Sequence, residues 1–300
     1  MNKNEVRGLW LGLLGVVLFS ITLPITRLAV GTPEAPLLTG FFIAFGRAGV
    51  AGLLSAAYLL SVKASPPSLK QCRSLGLVSL GVVFGFPLLT SLAMRYVPAA
   101  HASVITGVLP LATAALAARV NRQRPSLGFW LCAVCGCLLV LGFAILRSGQ
   151  SGWWLHSADL MLLAAMAMGA IGYVWGGRMS MEMPAQQVIS WALVMSLPVT
   201  LPLAWVFRPL EPVPWSAWAG FAYVSLFSMW LGFFAWYRGL ALGGTVRVSQ
   251  VQLLQPFLGM LFAIPILGES LDLLTIGFGL AVVATVFIGR KMPVHSTTKN

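Results

Sequence analysis

The chain falls into ten apolar runs of roughly 20 residues, at 8–30, 37–62, 73–95, 98–119, 127–147, 157–180, 185–207, 215–238, 246–267 and 271–290, separated by short polar breaks. A helix rising ~1.5 Å per residue crosses a ~30 Å hydrocarbon layer in about 20 residues. No water reaches the backbone inside that layer, so each run must close its own hydrogen bonds as a helix. The expected fold is an all-α polytopic membrane protein with ten transmembrane helices. Almost nothing remains outside the runs, which excludes a disulfide scaffold, a disordered chain and a single-pass receptor with a folded ectodomain. Composition agrees: 9% of residues are charged, against about 25% in soluble domains.

The net charge of +12 does not point to nucleic acid, because the 19 Lys and Arg are scattered at the ends of the apolar runs. They report topology. With the N-terminus inside, fourteen of them fall on inner segments, among them Lys3, Lys63, Arg73, Arg119, Arg178 and Arg290. Arg27, Arg95, Arg147 and Arg208 fall outside, with Glu34, Asp159, Glu211, Glu269 and Asp272. Both termini are therefore expected in the cytoplasm, the protein in the plasma (bacterial inner) membrane. The first run is too long for a signal peptide and lacks a small-x-small cleavage site, so it is retained as a helix. Residues 292–300 read as a disordered cytoplasmic tail.

The chain repeats itself. A shift of 146 residues lays Ser103 on Ser249, Thr106 on Gln252, Pro110 on Pro256, Thr113 on Gly259 and Ala117 on Ala263 without a gap. These positions step by 3 and 4, so one face of the fourth helix reappears on the ninth. The expected units are 1–150 and 151–291. Five spans per unit is an odd number, so the second unit enters the membrane inverted. The loops agree: Arg119, Arg122 and Arg124 follow the fourth span, whereas Glu269 and Asp272 follow the ninth. Inverted units meeting at the midplane can exchange inward-open and outward-open shapes, which is how secondary transporters work.

Arg47 is the sharpest local signal, since a charge near the centre of a membrane helix costs at least ~2.5–3.5 kcal/mol to insert. It reads either as an anchor for a substrate carboxylate or as a clamp on freed backbone carbonyls. Ser249, Gln250, Gln252 and Gln255 crowd two turns of the ninth span, and an amide without a partner in lipid costs several kcal/mol. Gln252 and Gln255 are expected to line the pathway, with Thr106 at the equivalent place in the first unit. Pro24, Pro110 and Pro256 each remove a helix hydrogen bond and are expected to break or gate their helices. Thr22 and Thr26 put hydroxyls beside the Pro24 break. Gly8, Gly12 and Gly15, like Gly169, Gly172 and Gly176, form small-residue seams that favour close helix packing. Tyr173, Trp175 and Trp230 lie too deep to be interfacial anchors and are candidate cavity walls.

His101, near the outer end of the fourth span, reads first as a satisfied polar residue and second as a proton relay. Arg27, Arg95 and Arg238 read as snorkelling anchors. No Asp or Glu stands in the middle of any run, so ion coupling through a mid-membrane carboxylate lacks its usual residue. Cys132, Cys135 and Cys137 share one apolar run and read as buried packing thiols. No His-Glu-x-x-His, Gly-x-Ser-x-Gly or acidic pair occurs within the runs, so no catalytic residue, metal or cofactor is expected. The partners expected are a small solute and the lipid bilayer, not nucleic acid. An intramembrane enzyme and a non-transporting receptor or scaffold are the alternatives.

Several strings occur in a telling order: Phe19-Ser-Ile-Thr-Leu-Pro-Ile-Thr-Arg27, Phe45-Gly-Arg-Ala48, Met94-Arg-Tyr-Val-Pro-Ala-Ala-His-Ala-Ser103 leading to Pro110, and Tyr237-Arg-Gly-Leu-Ala241 leading through Gln252 to Pro256 and Gly268-Glu269. Together they resemble the drug/metabolite transporter superfamily, specifically its EamA type with two five-helix repeats. The resemblance implies export or exchange of amino-acid-like metabolites or amphipathic compounds through a central cavity lined by helices one, three, four, six, eight and nine. It also implies a structural share for Arg47, because an arginine in helix two is typical of members with different substrates. One departure stands out: the first repeat has Arg122-Gln123 where the second has the family's acidic loop residue in Gly268-Glu269.

Overall fold

The computed structural model describes residues 3–120, 123–147, 157–243, 248–270, 272–292 and 294–296. The chain forms ten helical segments: α1 (Lys3–Ser20 and Thr22–Val30), α2 (Gly40–Ser61), α3 (Leu69–Ala93), α4 (Ala99–Thr106 and Leu109–Val120), α5 (Leu127–Arg147), α6 (Ser157–Met179), α7 (Ala185–Val206), α8 (Trp215–Gly243), α9 (Ser249–Leu254 and Gln255–Leu267) and α10 (Leu273–Lys291). Among the described residues seven of these are long and apolar enough to cross a membrane, and α9 and α10 contribute shorter apolar helices. Leu53, Leu60, Leu131, Leu138 and Leu280 lie exposed on the outer surface. An apolar exterior of this kind suits lipid rather than water.

Local irregularities repeat with the sequence. The middle of α3 is a π-helix over Ser79–Gly85 and the middle of α8 is a π-helix over Val224–Leu231; moved by 146 residues, the first falls on 225–231. The helix restarts at Leu109 in α4 and at Gln255 in α9, and the next segments begin at Leu127 and Leu273, each pair again 146 apart. Contacts follow the same symmetry: α2 packs on α7, α5 on α10, α4 on α9, and the pair α1 and α8 answers the pair α6 and α3. These are two five-helix units, inverted with respect to each other because each crosses an odd number of times.

The glycine seams bring the units together, as expected for packing. A Cβ on Gly8 would stand 2.5 Å from the Gly243 nitrogen, and one on Gly15 3.1 Å from Trp236. A Cβ on Gly81 would lie 2.5 Å from the Gly172 nitrogen. Only glycine permits backbones this close.

Three expectations are corrected. Within the tail, Val294–Ser296 pairs antiparallel with Gln123–Pro125 beside α4 (strands β2 and β1), because its open backbone groups meet those of the α4–α5 connection. Arg27 and Arg95 do not snorkel: Arg27 donates to the Met94 carbonyl at 2.6 Å and Arg95 to the Leu38 carbonyl at 3.0 Å, satisfying acceptors near the ends of the helices. Cys135 is exposed and Cys132 half-buried, so these thiols face outward from α5 rather than filling a core. Arg122 and Arg247 lie outside the described residues.

Candidate functional site

The helix breaks concentrate at mid-bundle. In α1 the first piece ends at Ser20 and the second starts at Thr22, and Pro24 withholds the N–H that would have reached the Ser20 carbonyl. Pro110 does the same to the Thr106 carbonyl and Pro256 to that of Gln252. The broken segments meet: a Cβ on Gly107 would lie 3.4 Å from the Pro256 ring, and one on Gly259 2.5 Å from the Ser103 hydroxyl. α4 and α9 therefore cross at their breaks.

Beside that crossing lies a small cavity between the two units. Phe19, Thr22 and Leu23 of α1, Arg47 of α2, Val82 and Phe86 of α3, Gly169 and Tyr173 of α6, Ser228 and Phe233 of α8 and Gln255 of α9 line it. Each π-helix contributes one residue from within it, Val82 or Ser228, and one just beyond it, Phe86 or Phe233. A wider helical turn displaces side chains from the regular spiral and is often found at functional positions. The scaffold is nearly symmetric but the chemistry is not. Val82, Leu109 and Leu193 occupy the places that Ser228, Gln255 and Arg47 hold in the other unit, so these polar lining groups have apolar counterparts.

Arg47 is 2% exposed, and its Nε and Nη1 have no hydrogen-bond partner. No acid lines the cavity, and the ion pair found among the described residues is elsewhere, between His101 and Asp159. Two guanidinium nitrogens are thus buried without an acceptor at the wall of the cavity. An unpaired buried charge is far costlier than a paired one. A carboxylate, which guanidinium grips in a fork of two hydrogen bonds, matches what is missing. Gln255 adds an unpartnered buried Oε1. Thr22 donates to the Ser228 hydroxyl at 2.9 Å, and the apolar wall is a cluster of rings in which Phe19, Tyr173 and Phe233 pack mutually at 5.0–6.5 Å.

Of the residues expected to bind substrate, Thr22, Arg47, Tyr173 and Gln255 come together here. The others lie outside the lining. Thr26 is buried with an unpartnered hydroxyl, one turn along α1. Thr106 donates to the Ser103 carbonyl at 2.7 Å, within its own helix. Trp175 is half-buried against the core, and Trp230 stacks edge-on against Tyr58 and Phe234. Gln252 is 1% exposed with both amide atoms unpartnered, so it stays polar and uncommitted at the α9 break without reaching the cavity. The side chains of Ser249 and Gln250 lie outside the described residues. Ser228 and Phe233 are site residues that the sequence reading does not name as such; the repeat points to Ser228, which stands 146 positions after Val82, but not to Phe233, which stands one residue beyond the equivalent of Phe86.

Asp159 has a partner that the sequence does not reveal. Assigned by charge to the outer side, it is 1% exposed and holds His101 Nε2 at 2.7 Å. His101 is the satisfied polar residue expected, and its partner is an acid of the other unit.

The comparisons with known proteins agree with this architecture. The sequence profile of the EamA-like transporter family matches twice, over residues 6–145 and 156–290. The chain is 43% identical over 294 residues, 96% of its own length and 99% of the relative's, to a protein of Bacillus subtilis (strain 168) named "Uncharacterized transporter YdeK". A solved crystal structure, 16% identical, superposes with a TM-score of 0.63 over 95% of this chain and 96% of its own, a likeness in fold alone. A ten-segment helical bundle of two units, helices that cross at their breaks and a family profile that fits both halves show that this chain is a membrane transporter of the EamA-like transporter family.

Proposed function

We propose that this protein moves small amphipathic metabolites, amino-acid-like and bearing a carboxylate, by alternating access through the cavity around Arg47, as an exporter or exchanger. The observation that carries the reading is the unpartnered Arg47 guanidinium in a cavity walled by both units and free of acids. Arg47 and Gln255 receive the polar end of the solute, and the Phe19, Tyr173 and Phe233 rings receive its apolar body. Inverted units of nearly equal packing interconvert at little cost in free energy, and the breaks at Pro24, Pro110 and Pro256 supply the bending. An enzymatic role is not favoured, since the polar residues around the cavity pair no nucleophile with a base.

The positive charge on the inner segments supports a plasma-membrane location with both termini in the cytoplasm. The end of the bundle carrying residues 31–39, 94–98 and 268–270 then faces outward.

The test is flux into sealed proteoliposomes over a panel of amino acids, purines and quaternary amines. Saturable counterflow is expected for carboxylate-bearing aromatic or aliphatic members and none for quaternary amines, whose charge Arg47 repels. Absence of saturable flux across the panel, or flux indifferent to Arg47→Gln, counts against the reading.

A further inference from the structure

We propose that His101 and Asp159 form a proton-binding site that ties closure of one end of the bundle to proton uptake, giving the carrier a coupling ion as well as a solute. The pair joins the two units: His101 sits on the first turn of α4 and Asp159 on the first turn of α6. Their side chains meet at 2.7 Å with residue exposures of 6% and 1%, and the imidazole rests on the Phe143 ring at 5.0 Å between centroids. A second carboxylate grips the same turn. Glu269, on the α9–α10 connection, accepts the backbone N–H groups of Ala99 and Ala100 at 2.8 and 2.9 Å. The outer-end turn of α4 is thus held to the second unit by two acids, one of which bears directly on an imidazole.

The second piece of α1, α5, α6, α9 and α10 pack against this turn. Their charged or titratable groups at this end are Arg27 from α1, Asp159 from α6, Glu269 from the α9–α10 connection and Asp272, whose carboxylate accepts the Thr275 N–H at the start of α10. From α5 the group facing the imidazole is Phe143. Of these side-chain types, imidazole is the one suited to exchange a proton under physiological conditions.

The sign follows from burial. With a neutral imidazole, closure seals the Asp159 carboxylate away from water without a countercharge; with an imidazolium, the closed pair is neutral. Opening hydrates both partners and removes the difference. Protonation therefore favours the closed end, and by linkage closure favours protonation. The proton comes from water to a ring nitrogen and returns there when α4 and α6 part, so a transport cycle that opens and closes this end binds and releases one proton. The inference rests on the carrier reading for its consequence but is decided without any solute.

The experiment uses the full chain in lipid nanodiscs, with its four native cysteines replaced and one cysteine introduced for Ala102, which is buried on the same turn of α4. Labelling by a hydrophilic maleimide is normalised to a cysteine in place of Leu210, 84% exposed on the α7–α8 connection, which removes the reagent's own pH dependence. Normalised labelling is expected to slow about tenfold from about pH 8 to about pH 5, within the usual range of coupling between sites. Both Asp159→Asn and His101→Gln abolish that slope, whereas Glu269→Gln raises labelling at every pH and leaves the slope in place. A flat profile in the parent protein, or a slope that survives in either Asp159→Asn or His101→Gln, overturns the proposal.

Discussion

The Thr22 hydroxyl donates to the Ser228 hydroxyl at 2.9 Å, joining the break in α1 to the π-helix in α8 across the wall of the cavity. Each residue comes from a different unit, and the bond is the direct polar link between units within the lining. Thr22→Val and Ser228→Ala are each expected to raise the KM of the transported solute about tenfold, the size of one lost hydrogen bond in a buried site. The double variant is expected to do little worse than either single one, because both remove the same bond. Solute-dependent flux with the three variants checks this.

Arg47 distinguishes a solute anchor from a structural clamp. Arg47→Gln is expected to lower flux at least tenfold while the amount of folded protein in the membrane stays within about twofold, since it removes an unpartnered charge rather than a bonded one. Arg47→Lys keeps the charge but loses the fork, and is expected to retain part of the flux with a raised KM. Flux per folded molecule, measured alongside size-exclusion profiles, separates the two roles.

Gly172 lies where α6 packs closely on α3, a Cβ there meeting the Val82 side chain and, at 3.0 Å, its backbone nitrogen. Gly172→Val is expected to lower stability by about 1–3 kcal/mol through overpacking. The loss is read as a fall in the Tm of the detergent-solubilised protein. Gly277→Ala, on α10 with open space around it, is expected to leave the Tm unchanged or slightly raised.

Glu269 caps α4 with two charge-assisted bonds, at the end of the helix dipole where negative charge is favoured. Glu269→Ala is expected to cost about 0.5–2 kcal/mol, as for the loss of an N-terminal cap. Thermal unfolding at neutral pH measures it.

Much of this architecture could be read from residue order. The apolar runs locate the ten segments to within a few residues, except where α1 begins at Lys3 and α8 continues to Gly243, because run length follows the thickness of the hydrocarbon layer. The 146-residue shift anticipates breaks at equivalent places, since Pro110 and Pro256 interrupt the same turn of their helices. Arg47 was legible as a buried charge because nothing nearby in sequence could pair with it. Which of several buried polar groups share one cavity was not legible. Thr106 and Gln252 stand on the repeated face, yet they meet helix backbone and packing rather than the opening, and periodicity gives a face without naming its neighbour. The pairing of Asp159 is illegible for a related reason. Three residues into α6 it looks like an edge acid, and its partner His101 is 58 positions away in the chain.

The central claim is that the cavity around Arg47 opens in turn to the two sides of the membrane. Its most direct test is labelling of a single cysteine at Ser228, 4% exposed at the cavity wall, by an impermeant thiol reagent in right-side-out and inside-out vesicles. Reaction from both sides is predicted, with solute slowing it from each. Reaction from one side alone, whatever the solute, would contradict alternating access.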